Sequence, residues 1–92
     1  MLDWDTLVHL GDVVMTLGVA KKIPVTDVCM ALTRHAMCDW GELGDFDRKQ
    51  NDSAHVTGGR LLSRYTASNG KVFWIITEAD RSSTTLLLPN EY

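Results

Sequence analysis

The chain lacks long apolar runs. No stretch approaches the ~18 residues that a membrane-spanning helix requires, and no basic segment leads into an apolar one at the start, so neither a membrane span nor a signal peptide is expected. Cysteine is scarce, with Cys29 and Cys38 the two present. On one helix these two would stand about 13 Å apart by helical rise, beyond disulfide reach. Reduced thiols in a cytoplasmic protein are the expectation.

Positive charge is also thin. Nine Lys and Arg face twelve Asp and Glu, for a net charge of −3. The acids concentrate in residues 1–52 and no segment carries a basic stripe, which argues against non-specific nucleic-acid binding. There is no Gly-x-Ser-x-Gly elbow, no phosphate loop and no Gly-x-Gly-x-x-Gly turn. Gly58-Gly59 is too short to cradle a phosphate and reads as a helix stop. No cofactor is expected.

What remains is an ordinary globular composition, 45% hydrophobic and 23% charged over 92 residues. That predicts a single domain over 1–92 with one modest core, in which Trp4, Trp40 and Trp74 should weigh heavily. The run at 72–77, Val-Phe-Trp-Ile-Ile-Thr, is β-branched and aromatic, as a strand buried on both faces would be. Asn69-Gly70 ahead of it is a strong hairpin signal. Taken as a two-residue loop, it sets Tyr65 opposite Trp74 and Ser63 opposite Ile76. The polar stretch 79–82 then turns the chain into a third strand. A four-residue turn there sets Leu86 opposite Ile75 and Thr85 opposite Ile76, and a loop one residue different would reverse that strand's faces.

The expected fold is α+β, a three- to four-stranded antiparallel sheet covered by helices. The meander takes 60–67, 71–78 and 83–88; residues 7–16 fit either a helix, with apolar positions 7, 10, 14 and 17, or an extra strand at 10–15, which is preferred. The helices span about 26–37 and 46–57. Thr16 is read as the N-cap of a short helical turn through Lys22, Thr26 as the N-cap of the first long helix with Asp27 in its first turn, and Asp45 as the cap of the second. That second helix is mostly polar, with Phe46, Ala54 and Val56 as its apolar contacts, and should lie on the surface.

Few residues invite chemistry. His35, Cys38, Asp39 and His55 are metal-ligand types, but the spacing is short and no Cys-x-x-Cys accompanies it, so no metal site is expected. The densest polar cluster is Thr77 to Thr85, where Arg81 beside Glu78 and Asp80 can hold an ion pair and the hydroxyls can satisfy a turn. Its bland reading is a self-contained turn. Its functional reading joins Arg81 and Thr84 or Thr85 to His35. A His–carboxylate acid–base pair with Arg on a phosphate would suit metal-free RNA cleavage by His35, Glu78, Arg81 and Thr85.

Several elements form a pattern: Arg34-His35, Cys38-Asp39-Trp40-Gly41, Gly59-Arg60, and above all Trp74-Ile75-Ile76-Thr77-Glu78-Ala79-Asp80-Arg81-Ser82 with Thr84-Thr85 and Leu87-Leu88-Pro89. Over residues 10–92 this resembles a family of short bacterial proteins of plasmids, integrative elements and chromosomes, labelled plasmid-related or type I restriction subunit proteins. Cys38 stands where that family's pattern has glycine. The resemblance implies a bacterial, mobile-element origin and no activity. It adds weight to Asp39, Arg60, Asp80, Arg81 and Thr84, with His35 and Thr85, as a ligand pocket or a buried polar network. The leading expectation is a non-catalytic binding or accessory protein with a protein partner or a homodimer, in preference to nucleic acid. The alternative is a small metal-free ribonuclease.

Overall fold

A computed structural model describes residues 7–92, so Trp4 and the first six residues lie outside the description. The element order is β1 (Asp12–Met15), α1 (Leu17–Lys22), α2 (Val25–Ala36), α3 (Asp45–Thr57), β2 (Leu61–Thr66), β3 (Val72–Thr77) and β4 (Ser83–Leu87), followed by a 3-10 turn at Pro89–Glu91. The strands form one sheet in the order β1-β4-β3-β2. This is the expected α+β layout with its meander and extra strand. One feature departs from an all-antiparallel sheet: β1 runs parallel to β4, with Val13 beside Thr84 and Val14 beside Thr85. The sheet is therefore mixed. Parallel neighbours need a long connection, and here α1, α2, α3, β2 and β3 all lie between the two strands.

The β2–β3 hairpin corrects the sequence reading by one residue. Tyr65 faces Phe73, Ser63 faces Ile75 and Arg64 faces Trp74. The loop has three residues, closed by Ala67 N–H to Lys71 carbonyl at 2.8 Å and Gly70 N–H to Ala67 carbonyl at 2.9 Å. Gly70 takes a φ of 85° and Asn69 does not enter the left-handed region. A type I turn followed by a left-handed glycine thus replaces the two-residue type I′ turn. Asn69 instead uses its side chain, accepting from Lys71 N–H and donating to Lys22 carbonyl. One residue of slip exchanges the faces of a strand. Tyr65 therefore shares a face with Phe73 instead of with Trp74, and Trp74 shares one with Arg64. The β3–β4 register is the expected one, with Leu86 opposite Ile75 and Thr85 opposite Ile76.

Alternation now assigns the faces. Phe73, Ile75, Leu86 and Tyr65 pack with Val19 of α1 and with Val28 and Ala31 of α2 to form the main core. A second, smaller cluster joins Val8, Trp40 and Leu61, with Ala54 of α3 against it. Thr16 caps α1 as expected, accepting from Val19 N–H at 3.2 Å. The other two caps differ from expectation. α2 starts behind Pro24, which places Thr26 inside the helix, and α3 starts behind Gly44, which places Asp45 in its first turn. The cap of α2 thus falls two residues early and that of α3 one, and the Asp27 and Asp45 carboxylates still suit the positive end of the helix dipole.

The helix ends are set by left-handed residues. Gly58, φ 91°, stops α3. α2 ends with Cys38 N–H on His35 carbonyl and Asp39 N–H on Arg34 carbonyl, the Schellman pattern, with Cys38 itself at φ 65°. A cysteine thus holds the conformation that usually selects glycine.

The outer edge of β2 is closed by the chain itself. Arg64 N–H donates to Trp40 carbonyl and Glu42 N–H to Arg64 carbonyl. Asn51 of α3, buried at 6% exposure, accepts from Leu62 N–H at 3.3 Å and donates to Leu62 carbonyl. Phe46 and Val56, the expected contacts of α3, are 74% and 84% exposed. Replacing Asn51 by Ala should leave both Leu62 backbone groups without partners and lower stability by about 2 kcal/mol. A urea midpoint unchanged from wild type would contradict this.

Candidate functional site

The expected site residues fall into three places. The first is a buried polar chain. His35 lies on the inner side of α2, fully buried, as are Ser63, Thr77 and Thr84 beneath it. Its Nδ1 meets Ser63 Oγ at 2.5 Å and its Nε2 meets Thr77 Oγ1 at 2.8 Å. Thr77 Oγ1 meets Thr84 Oγ1 at 2.7 Å, and Thr84 Oγ1 donates to Leu10 carbonyl at 2.7 Å.

That terminal carbonyl fixes every proton in the chain. A hydroxyl has one hydrogen. Thr84 gives its hydrogen to Leu10, so Thr77 must donate to Thr84. With that hydrogen used, Thr77 can only accept from His35, which puts the imidazole hydrogen on Nε2. Nδ1 then accepts from Ser63. The network is satisfied with a neutral ring of one tautomer. Burial first, and the positive charge of Arg81 second, push the His35 pKa down to about 4. Trp40 closes the site from the side, its ring edge-on to the imidazole at 5.6 Å.

The second place is the β3–β4 turn. Arg81 makes no ion pair with Glu78 or Asp80, contrary to expectation. Its Nη1 donates to the carbonyls of Gly59 at 2.6 Å, Glu78 at 3.0 Å and Ala79 at 3.2 Å, and its Nη2 donates to Ala54 carbonyl at 3.2 Å. The guanidinium therefore sits at the C-terminal end of α3, where positive charge is favoured. Its backbone has a φ of 61°, a strained value for a residue with a side chain. The Ser82 side chain first, and its N–H at 3.0 Å second, hold the Asp80 carboxyl below the usual range. Asp39, expected beside these, lies at the end of α2. There Arg34 donates to it at 2.7 Å and lowers its pKa.

The third place is the sheet face away from α1 and α2. Thr85 points there, on the opposite side from His35, because neighbours on a strand alternate. The sequence suggested His35, Glu78, Arg81 and Thr85 as one set. The fold joins His35 to Thr84, divides Thr85 from them, and pairs Glu78 with Arg60 across 3.6 Å. Around Arg60 the face forms a groove of about 340 Å³ lined by Arg60, Leu62, Trp74, Ile76 and Tyr92. Tyr92 stands edge-on to Trp74 at 5.6 Å and accepts from Arg60 Nη1 at 2.8 Å. Arg60 also lies over the Tyr92 ring at 5.5 Å. Of these residues, sequence reasoning named Arg60 alone as a site residue. The two-residue hairpin reading pairs Trp74 with Tyr65 and not with Arg64, its partner here, and no local signal brings Tyr92 to β3.

Among the described residues no group of three His, Cys, Asp or Glu side chains could hold a metal ion, and no helix is long and apolar enough to cross a membrane. Comparison with protein-family models, curated proteins and solved structures finds no match.

The depressed histidine makes stability depend on pH. Unfolded, His35 titrates near 6.5; folded, it titrates near 4. Between those values the unfolded chain binds the extra proton, so stability is complete above about pH 6.5 and falls as pH drops toward 4, by about 3 kcal/mol in all. His35→Gln, which cannot protonate, should flatten that part of the profile in denaturant titrations. An unchanged slope would mean another group controls it. Arg81→Ala should cost about 2 to 3 kcal/mol, and Arg81→Lys should recover less than half of it, because one ammonium cannot span four carbonyls. Calorimetric melting of the three proteins checks this.

Proposed function

We propose that this chain is a non-catalytic binding protein of the bacterial cytoplasm, an accessory of a mobile element, whose open sheet face receives an apolar segment of a protein partner. The observation that carries the reading is a division of labour among its side chains. The groups suited to chemistry are engaged inside the fold: His35 is closed to solvent with both nitrogens bonded, and Arg81 is committed to four backbone carbonyls. What the surface offers instead is Trp74, Tyr92 and Leu62 around a groove rimmed by Arg60, with the buried Ile76 in its lining. Trp, Tyr and Arg are the residue types that dominate binding energy at protein interfaces. Cys29 and Cys38 are not joined in a disulfide, which suits a reducing compartment.

The mobile-element assignment rests on the sequence resemblance, and the partner class on the apolar groove and the acidic balance of the chain. Metal-free RNA cleavage has less support, because a general base must reach its substrate and His35 has no open path.

The test uses Tyr92→Ala, which changes a residue 67% exposed and should leave folding intact. Partners retained from the host cytosol are identified, purified and titrated against both proteins. A true partner should bind Tyr92→Ala at least tenfold more weakly, the ~1.4 kcal/mol lost with one interfacial aromatic. Equal affinity for every partner found would remove the groove from the reading. Cleavage of RNA by wild type but not by His35→Ala or Arg81→Ala, with both variants folded, would replace it with the nuclease.

A further inference from the structure

The two edges of the sheet are treated differently. The β2 edge is closed by Asn51 and by the strand-like bridge of Gly41 to Arg64. The β1 edge is not closed by any described residue. Asp12 N–H donates to Ser82 carbonyl and Thr16 N–H to Leu86 carbonyl, both at 3.0 Å. The period of two along a strand then turns the backbone groups of Val13 and Met15 away from β4. Three apolar side chains sit on this edge, Val13, Val14 and Met15, at 43%, 50% and 45% exposure. An unpaired edge of apolar residues is a template for another strand.

We propose that β1 pairs antiparallel with β1 of a second copy, forming a two-fold dimer with one continuous eight-stranded sheet. The occupant follows from the register. Outward groups must meet outward groups, so Val13 pairs with Met15 of the second copy and Met15 with its Val13. The two residues of each such pair exchange two hydrogen bonds, and Val14 faces Val14 on the axis.

Registers centred on Val13 or Met15 would instead engage Gly11, whose φ is 62°, or Leu17, which is helical. Neither can extend the ladder. In the favoured register Asp12 lies opposite Thr16, so no like charges face each other. The closed β2 edge leaves each chain one edge to offer, which ends assembly at two copies and prevents a fibre.

A four-residue strand is a small interface. Leu10, next to β1 in the chain, helps line an apolar groove of about 390 Å³ with Leu7, Leu32, Ala36 and Met37, and Leu17 beyond β1 is 69% exposed. The dimer uses neither Trp74 nor Tyr92, so it stands or falls separately from the partner groove.

Sedimentation of the whole chain from about 1 μM to 1 mM, the range of weak to moderate self-association, should show a mass rising from 10.3 kDa toward twice that value. Val14→Lys places two ammonium groups together on the axis and should raise the dissociation constant at least tenfold. Val56→Lys, a change on the exposed face of α3, should not. Hydrogen exchange of the wild type needs no variant. With rising concentration the Val13 and Met15 amides should gain protection while Val14, already bonded within the sheet, stays unchanged. A monomer at every concentration, a dimer indifferent to Val14→Lys, or protection gained elsewhere would each overturn the proposal.

Discussion

The chain of hydrogen bonds from Ser63 through His35, Thr77 and Thr84 to the Leu10 carbonyl is the constraint on which the rest of the fold depends. It ties α2 to three strands and to the segment that leads into β1. Its four side chains are fully buried, so a missing member would leave its neighbours without a partner in a low-dielectric interior. This makes the network demanding about geometry. A one-residue slip in either hairpin would carry Ser63, Thr77 or Thr84 to the opposite face, and the imidazole would meet Leu62, Ile76 or Thr85 instead. An apolar core alone penalises such a slip less, because Ile75 and Ile76 are nearly interchangeable as bulk.

A second constraint concerns the turn after β3. Arg81 holds a left-handed backbone that costs roughly 1 kcal/mol or more, and its guanidinium offsets this by collecting carbonyls from two places, the end of α3 and its own turn. The residue thus positions α3 relative to the sheet. α3 in turn delivers Asn51 to the β2 edge and Ala54 to the Trp40 cluster. Removing the charge therefore loosens a helix that has few apolar contacts of its own, since Phe46 and Val56 face solvent.

The two sheet faces end up with different tasks. The covered face carries the core and the polar chain. The other carries Leu62, Trp74, Ile76, Thr85 and Leu87, with Tyr92 folded against Trp74 as partial cover. This asymmetry separates Thr84 from Thr85 although they are neighbours in sequence, and it explains why a site assembled from residue types alone does not assemble in space.

Much of this was legible in residue order because it is local. The β-branched run at 72–77, the Gly58 stop, the Thr16 cap and the four-residue turn that places Leu86 against Ile75 each follow from propensity or turn chemistry within a few residues. The hairpin loop was misjudged by one residue because Asn69-Gly70 suits two turn types, and the choice is made by long-range bonds, Asn69 to Lys22 carbonyl and Ser68 to Asp27. The parallel entry of β1, the closing of the β2 edge by Asn51, the four carbonyls around Arg81 and the union of His35 with Thr77 and Thr84 link residues far apart along the chain. Their energies exist only once the elements have docked. Composition and order therefore settled which segments become helix and strand. Docking decided which side chains meet, because hydrogen bonds and burial act through space and a single residue of register exchanges every contact on a face.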